Sequence, residues 1–369
     1  MSGRAGVIRV ACSPGERRIA VWQEGALRDY AIWRPGAPDG VGDLHRARLL
    51  APMPGLGGAF VALATGEAFL ADRAALAFPE GQSLRVRVVR AAQGGKGPRV
   101  LLLGPAEPGP PALLEPGPSP LLALATRYPA AELHLDDPAL VPVLRPALGA
   151  RLCLVRRAWD EATEEAVAAL AAPVLALPGG VRLCITPTPA LTAIDIDWGG
   201  AGGRSAGPAG KPTAQMAANQ ALLPALAAQI RLRNLGGAIL VDFAGLPARK
   251  RAALGPPLAE ALAGDPLRPR LLGFTALGLA EIVRPRERPP LYEVLRGPHA
   301  AGLAALRRLA AVATANPARR LALRAAPAVV AALEADPVAL PALAARRGHP
   351  LLLQSDPALG AEDAIEESA

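Results

Sequence analysis

The stretch Gln229–Phe243 reads Q-I-R-L-R-N-L-G-G-A-I-L-V-D-F and joins a helical pattern to a strand-like apolar run. Its first residues end a helix that periodicity predicts over Met216–Leu232. The pair Gly236-Gly237 ends that helix, and the apolar run after it predicts a buried strand that closes at Asp242. Strand-like and helical segments alternate on both sides of this stretch. We therefore expect an α/β unit with a partly parallel sheet.

The segments around this stretch extend the same unit. Pro224 lies inside the predicted helix and should kink it or shift its start. Glycine, serine and proline fill 201–212, which predicts a loop. The other predicted elements are a hairpin of Val181–Ile185 and Ala190–Asp197, a helix over Ala248–Ala263 and a strand within Leu271–Arg284.

Three carboxylates stand on predicted strands of this unit. Asp195 and Asp197 are two residues apart, so the strand period places both on one face, opposite Ile194 and Ile196. Carboxylates at the ends of neighbouring strands can hold Mg²⁺, which keeps several waters and leaves room for a phosphate oxygen. The alternative is that Asp195 and Asp197 are exposed strand residues and Asp242 accepts hydrogen bonds in a turn. Spacing alone favours that alternative.

Arginines precede the last of these carboxylates. Arg231 and Arg233 close the predicted helix just before the Asp242 strand. Cations are favourable at a helix C-terminus in any protein, which is one explanation for them. Their closeness in sequence to a candidate metal ligand is also what a phosphate-handling site requires.

The N-terminal third reads as short strands. Residues 7–33 alternate apolar and polar around two turns, which predicts a strand meander. Five further runs predict a small barrel of the OB type, and a Pro/Gly-rich linker follows at 104–120. These runs are Leu44–Leu50, Gly58–Leu63, Ala68–Leu70, Leu84–Arg90 and Arg99–Leu103.

Such a barrel could bind a single-stranded nucleic-acid backbone. Lys96 stands in the Gly-rich turn G-G-K-G-P, and Arg85 and Arg87 share one face of their strand. Phe60 and Phe69 could stack on bases. The commoner alternative for isolated aromatics is a place in the barrel core.

Composition limits the classes of protein. The 369 residues are 51% hydrophobic and 20% charged, which rules out wholesale disorder. Lys and Arg outnumber Asp and Glu by 40 to 32, a net charge of +8 that weakly favours nucleic acid as a partner. The scattered cysteines and histidines predict no zinc site. The first residues resemble no signal peptide and no membrane segment is predicted, so we expect a cytoplasmic protein.

At this point a family resemblance can be stated. The stretch Gln229–Phe243 resembles the signature of the ribonuclease E/G family, as do T-A-I-D-I-D at Thr192–Asp197 and T-A-L-G-L-A-E-I-V-R at Thr275–Arg284. The order and spacing of these three blocks resemble the catalytic domain of that family. Weaker similarity at Pro54–Leu63 and Gly94–Arg99 points to its OB-fold RNA-binding module.

The resemblance implies an α+β multidomain architecture. An OB-fold β-barrel RNA-binding module would lie near the N-terminus, followed by an α/β, DNase I-like nuclease domain and a small C-terminal α/β domain. The implied parts are a strand meander left from an RNase H-like subdomain at 1–36, the OB fold at 37–105, a linker with a 5′-sensor-like region at 106–180, the metal-dependent catalytic domain at 181–290 and the small domain at 291–369.

The resemblance also implies roles for single residues. Asp195 and Asp242 match the two metal-binding aspartates of the family, and Asp197 stands where the family usually has Asn. Lys96, Phe60 and Phe69 match RNA-contacting positions. Arg156 matches the arginine that binds the 5′ phosphate.

Several positions depart from the family pattern. Pro189 and Gly245 stand where the family has acidic residues, and Arg157 replaces a Thr beside the sensor arginine. The family's zinc-link cysteines are absent, so we expect no zinc and no zinc-linked oligomer, but a monomer or weak dimer.

Two functions follow as hypotheses. The first is an endoribonuclease that hydrolyses phosphodiester bonds of single-stranded RNA with Mg²⁺, in RNA processing (including rRNA processing) or decay, and leaves a 5′ phosphate and a 3′ hydroxyl. The alternative is a catalytically degenerate RNA-binding protein derived from that family. A structural protein without an RNA role is a third, weaker hypothesis.

Overall fold

The computed structural model describes residues 6–177, 180–198, 212–243, 245–315 and 321–368. Packing divides the chain into two units. Unit one comprises Met1–Glu164 and Tyr292–Ala369, and unit two comprises Glu165–Leu291. The finer division into five parts stays a prediction.

The chain begins with the predicted strand meander, which is confirmed. Its strands are β1 (Val7–Ser13), β2 (Glu16–Gln23) and β3 (Ala26–Trp33), paired antiparallel in that order. Glu24 and Gly25 both have left-handed φ angles, 53° and 74°, as a tight hairpin turn requires.

A closed five-stranded barrel follows, as the sequence predicts. Each strand pairs with two others, since β4 pairs with both β5 and β7, and the order β5-β6-β8-β7-β4 returns to β5. Alternate residues of every strand fill its core. The strands are β4 (Leu44–Met53), β5 (Gly58–Leu63), β6 (Gly66–Leu70), β7 (Ser83–Arg90) and β8 (Arg99–Pro105).

The segment predicted as a linker contains one more strand. β9 (Ala112–Glu115) pairs antiparallel with β4, beside the barrel. Directly after it, the backbone N–H of Gly117 donates to Asp43 Oδ1 at 2.6 Å. The chain therefore enters and leaves the barrel segment at neighbouring points.

Two short strands complete the N-terminal sheet. β10 pairs parallel with β1 and β11 pairs parallel with β10, giving the order β11-β10-β1-β2-β3. The last of these strands is short, because the chain leaves the ladder after Leu154. The elements are α1 (Pro120–Arg127), β10 (Glu132–Leu135), α2 (Val141–Leu148), β11 (Leu152–Leu154) and α3 (Glu161–Ala171).

Unit two is built on a six-stranded sheet of order β12-β13-β14-β15-β17-β16. Only β14 and β15 are parallel among these strands, which confirms the partly parallel sheet. The elements are β12 (Val174–Leu177), β13 (Val181–Pro187), β14 (Leu191–Trp198), α4 (Pro212–Leu232), β15 (Gly237–Asp242), α5 (Ala248–Arg251), α6 (Gly255–Leu262), β16 (Arg270–Phe274) and β17 (Ala280–Arg284).

Three expectations for unit two need correction. Helix α4 continues through Pro224 and starts earlier than predicted, at Pro212; the predicted loop before it lies outside the described residues. The helix expected over Ala248–Ala263 is divided into α5, a 3-10 turn at Ala252–Leu254 and α6, and Pro256 lies in the first turn of α6, a position that proline favours. The segment Leu271–Arg284 holds parts of two strands rather than one.

The C-terminal part contains a three-stranded sheet of order β19-β18-β20. Leucines of the neighbouring helices and of β18 form one core. The elements are α7 (Leu291–Val294), α8 (Pro298–Ala315), β18 (Leu321–Ala325), α9 (Pro327–Glu334), α10 (Ala339–Arg347), β19 (Leu352–Ser355) and β20 (Ala364–Ser368).

Over the described residues, no single helix has the length and apolar character needed to cross a membrane. The bent pair α9 and α10, at 81° to each other, meets that test by length and composition only.

Candidate functional site

The two aspartates that the sequence singles out lie side by side. Asp195 on β14 is in register with Asp242 on β15, at the end of their parallel pairing. Ile194 and Ile196 are buried on the opposite face of β14. Asp195 and Asp197 therefore share the other face, as the strand period predicts, and the register adds Asp242 beside them.

The three carboxylates repel one another. The pKa of Asp195 is raised above its ordinary value, first by partial burial and then by the charges of Asp242 and Asp197. A cation between these groups would relieve the repulsion. The arrangement is therefore chemically suited to hold a divalent cation through carboxylate oxygens.

Two arginines also contact these carboxylates, and sequence reasoning missed both. Arg182 on β13 is in register with Asp197 and forms an ion pair with it. Arg251 at the end of α5 binds Asp242 Oδ1 and also donates from Nε to the Leu246 carbonyl at 2.8 Å. The hairpin spacing of β13 and β14 could have identified Arg182, whereas Arg251 becomes a neighbour only through the fold.

Replacing Arg251 should strengthen cation binding. Its guanidinium competes for the Asp242 carboxylate, and a partly exposed ion pair is worth about 0.2–1 kcal/mol. We expect Arg251→Gln to raise the Mg²⁺ affinity about two- to fivefold, measured by titration calorimetry. Arg249→Gln, an exposed change on the same short helix, is the control. If Arg251→Gln unfolds at the same temperature as the wild type but its Mg²⁺ affinity is unchanged or lower, this expectation is contradicted.

Replacing Asp195 should change stability with pH. Its pKa is raised in the folded state, so the fold is relatively destabilised where Asp195 is ionised, above that pKa, and this effect disappears at lower pH. Asp195→Asn should raise the melting temperature slightly at neutral pH. The gain in free energy of unfolding should be less than about 1 kcal/mol, because solvent screens an exposed group. The gain should vanish as the pH falls below the folded-state pKa of Asp195. A variant that is less stable than the wild type at neutral pH would refute this.

The arginines of the quoted stretch differ in their surroundings. Arg231 is half-buried at the end of α4. Arg233 is 5% exposed, and its guanidinium donates to the carbonyls of Ala169 and Ala172. Burial lowers the pKa of Arg233. Its Nε also donates to Gln229 Oε1 at 2.9 Å, so its guanidinium joins α4 to the end of α3 and the residue following it.

Asn234 joins the same stretch to a buried ion pair. Its left-handed backbone (φ 49°) turns the chain after α4, and its Oδ1 accepts from Arg284 Nη1 at 2.8 Å. Arg284 Nε donates to Asp265 Oδ2 at 2.7 Å, and both side chains are only 3% exposed. Sequence reasoning missed this pair. The ion pair joins β17 to the segment between α6 and β16, and the bond to Asn234 joins β17 to the turn before β15.

In the barrel, Phe60 and Phe69 form one pair. They are in register on β5 and β6, with ring centroids 5.4 Å apart at 67°. Their strand neighbours Ala59, Val61 and Leu70 are buried in the barrel core. Because side chains alternate along a strand, both rings lie on the outer face and are only partly buried.

Cations lie near this face and at one of its turns. Arg99 on β8 is in register with Phe69 and is exposed. Lys96 is exposed in a turn closed by its bridge to Gln93, and the N–H of Gly94 in the same turn donates to Glu293 Oε2 at 2.9 Å. The Phe60–Phe69 pair and these cations make an amphipathic outer surface.

Arg156 follows β11 and is exposed, as is Arg157. It therefore lies just past the N-terminal sheet in unit one, whereas the carboxylates belong to unit two. The structure thus brings together Asp195, Asp197 and Asp242 in one group, and Phe60 and Phe69 in another.

Comparison with known proteins agrees with this geometry. The model of the ribonuclease E/G family matches residues 159–287, which include all three carboxylates. Ribonuclease E of a Synechocystis species is 33% identical over 127 residues, which are 34% of this chain and 18% of that protein. Ribonuclease G of Escherichia coli is 36% identical over 121 residues, which are 32% of this chain and 24% of that protein. The chain thus covers less than a quarter of the length of either relative. Residues 159–287 of this chain are therefore similar to the ribonuclease E/G family.

Proposed function

We propose that the protein is an endoribonuclease that hydrolyses single-stranded RNA with Mg²⁺ at Asp195 and Asp242. The observation that carries this proposal is the register of these two carboxylates at the end of the parallel β14–β15 pair. The relatives named ribonuclease E and ribonuclease G support the reaction class. On this proposal, the six-stranded sheet of unit two is the DNase I-like catalytic domain, and the protein acts in the cytoplasm as a monomer or weak dimer.

The donor set fits the ion. Carboxylate oxygens are the ligands that Mg²⁺ prefers. The pKa of Asp195 is raised first by burial and then by the charges of Asp242 and Asp197, which lie close to it. Asp195 and Asp242 would hold the ion, and Asp197 would add charge beside it. A bound Mg²⁺ supplies polarisation of the phosphodiester and acidification of a water molecule.

The side chains of the protein perform the remaining tasks. Asp195 must be ionised to hold the ion, and because protons compete with Mg²⁺ for its carboxylate, Mg²⁺ affinity and activity should fall as the pH falls. Arg251, held by the Leu246 carbonyl, stands beside Asp242 and can donate to a phosphate oxygen once its carboxylate partner is engaged elsewhere.

The barrel would bind the RNA chain. Phe60 and Phe69 would stack on bases, and Lys96 would contact a phosphate. Arg156 would bind the 5′ phosphate. Arg231 would contact the RNA backbone, and Arg233 would act through the observed carbonyl contacts that fix the end of α4.

Substitutions on the barrel should separate stacking from charge. Phe69→Ala should weaken binding of a short unstructured RNA about 5- to 100-fold, since one stacked base is worth about 1–3 kcal/mol. Lys96→Ala should reduce, by about 0.7, the steepness with which the logarithm of the RNA association constant falls against the logarithm of the salt concentration. Fluorescence anisotropy over a range of salt concentrations measures both. Leu113→Ala, an exposed apolar change on β9, is the control; equal effects of Leu113→Ala and Phe69→Ala would contradict stacking at this face.

A second function has one observation in its favour. Arg182 and Arg251 already pair with Asp197 and Asp242, as in a site whose carboxylates serve the fold rather than a metal. Gly245 and Pro189 lie where the family pattern has acidic residues. These features favour a catalytically degenerate RNA-binding protein.

One experiment decides between the two functions. A 5′-monophosphorylated, unstructured RNA is incubated with the protein in Mg²⁺, in EDTA, and with Asp242→Asn. Cleavage that needs Mg²⁺ and is lost in the variant supports the nuclease. Salt-sensitive binding without cleavage supports the RNA-binding protein. An absence of both cleavage and binding refutes both.

A further inference from the structure

Three potential metal ligands of different chemistry lie together on the N-terminal sheet. His134 on β10 is in register with Cys153 on β11, and Glu132 precedes His134 by two residues on the same face. One ligand atom from each side chain lies within 4.8 Å of the other two. This group is separate from the carboxylates of β14 and β15, which belong to unit two.

The other face of these strands holds the group in place. Leu133, Leu135 and Leu152 are buried in the core beneath α1 and α2. Main-chain pairing of β10 with both β1 and β11 fixes the positions of the three Cα atoms. Ligands on such a packed sheet need only side-chain rotations to converge on an ion.

The donor set indicates which ion is bound. An imidazole nitrogen, a thiolate and a carboxylate are typical ligands of Zn²⁺, whereas Mg²⁺ prefers oxygen alone. His134 Nε2 and Glu132 Oε2 are 3.3 Å apart, and a tetrahedral ion with bonds near 2.0–2.1 Å separates two such ligands by about 3.3 Å. Three protein ligands leave a fourth position for water.

The surroundings permit an ion to bind. The side chains of His134 and Glu132 are 33% and 67% exposed, so solvent reaches both. Arg9 lies opposite His134 across the β1–β10 pair, but its guanidinium binds Asp160 and the Thr163 hydroxyl. Its positive charge is therefore compensated by a carboxylate of its own.

We propose that Glu132, His134 and Cys153 form a zinc-binding site that joins the edge strand β11 to β10. Sequence reasoning does not reveal this site, since α2 separates His134 from Cys153 along the chain and the parallel pairing of β10 and β11 brings them together. This proposal is opposite to the expectation, stated from the sequence, that the protein holds no zinc. The site does not depend on the proposed nuclease function.

The test is a titration of tag-free protein, first stripped with EDTA, with Co²⁺ and then Zn²⁺. One equivalent of Co²⁺ should produce a thiolate-to-cobalt charge-transfer band that Zn²⁺ displaces. Cys153→Ser should abolish the band, and His134→Ala should lower the Zn²⁺ affinity at least about tenfold, measured by competition with a chromophoric chelator. The band and the affinity are measured without RNA, so they are independent of cleavage.

Control variants separate this site from other ligands. Cys184→Ser should retain the band; Cys184 is opposite Asp195, so this variant tests whether the carboxylate site is the source. Asp242→Asn should likewise retain it. Glu132→Gln changes a mainly exposed side chain that should not affect folding, and it should also weaken Zn²⁺ binding at least about tenfold. No cobalt band in the wild type, a band that survives Cys153→Ser, a band lost in Cys184→Ser, or unchanged affinity in Glu132→Gln would each overturn the proposal.

Discussion

Asp242→Asn should reduce RNA cleavage at least about a hundredfold while leaving RNA affinity nearly unchanged. The substitution keeps the size of the side chain and removes the charge next to Asp195. A catalytic cation contributes several kcal/mol to the transition state, and each 1.4 kcal/mol corresponds to a tenfold change in rate. The barrel face with Phe60 and Phe69 is untouched, so binding persists.

The measurement compares single-turnover cleavage and anisotropy on the same RNA. Glu260→Gln, an exposed carboxylate change on α6 of the same unit, is the matched control and should retain the wild-type rate. If Asp242→Asn cleaves at the wild-type rate, the carboxylate pair is not the metal site. Adding excess Mg²⁺ to the variant should recover only part of the activity if the defect is in ion binding.

Asp265→Ala should destabilise unit two by about 3–5 kcal/mol. It leaves Arg284, which is 3% exposed, as a buried charge without its carboxylate, and removing one partner of a buried pair has a cost of this size. Arg284 also donates to Asn234 Oδ1 and to the Leu235 carbonyl. The loss should therefore loosen the turn that leads into β15.

Hydrogen–deuterium exchange of peptides from Gly237–Arg284 measures this local loss, and chemical denaturation measures the global one. Arg182→Ala breaks an exposed ion pair instead and should change stability by less than about 1 kcal/mol. Equal protection of β15 and β17 in Asp265→Ala and the wild type would show that the pair does not stabilise the sheet.

Local patterns explain what the sequence could predict. The strand period places Asp195 and Asp197 on one face, and alternation along β5 to β8 predicts a barrel. Such signals depend on residues a few positions apart. The break before α6 is also visible in the sequence, as Gly255-Pro256-Pro257. The helix predicted over Ala248–Ala263 extends across these residues.

Long-range pairing explains what the sequence could not predict. Asp195 meets Asp242 because β14 and β15 are parallel, with α4 between them along the chain. Arg251 and Asp265 find their partners only in the folded sheet. Side-chain type indicated candidates for chemistry, but whether an arginine contacts a carboxylate or a buried carbonyl, as Arg233 does, depends on the fold.

The bond between Gly117 N–H and Asp43 Oδ1 closes the two ends of the barrel segment on each other. The meander β1–β3 and the later strands β10 and β11 form one continuous sheet, although the whole barrel intervenes along the chain. In topological terms, the barrel is a domain-sized insertion between two halves of a sheet that pair without it. Such an insertion can be lengthened, shortened or exchanged during evolution without altering the register of its host, so the outer surface of the barrel and the host fold are free to diverge separately.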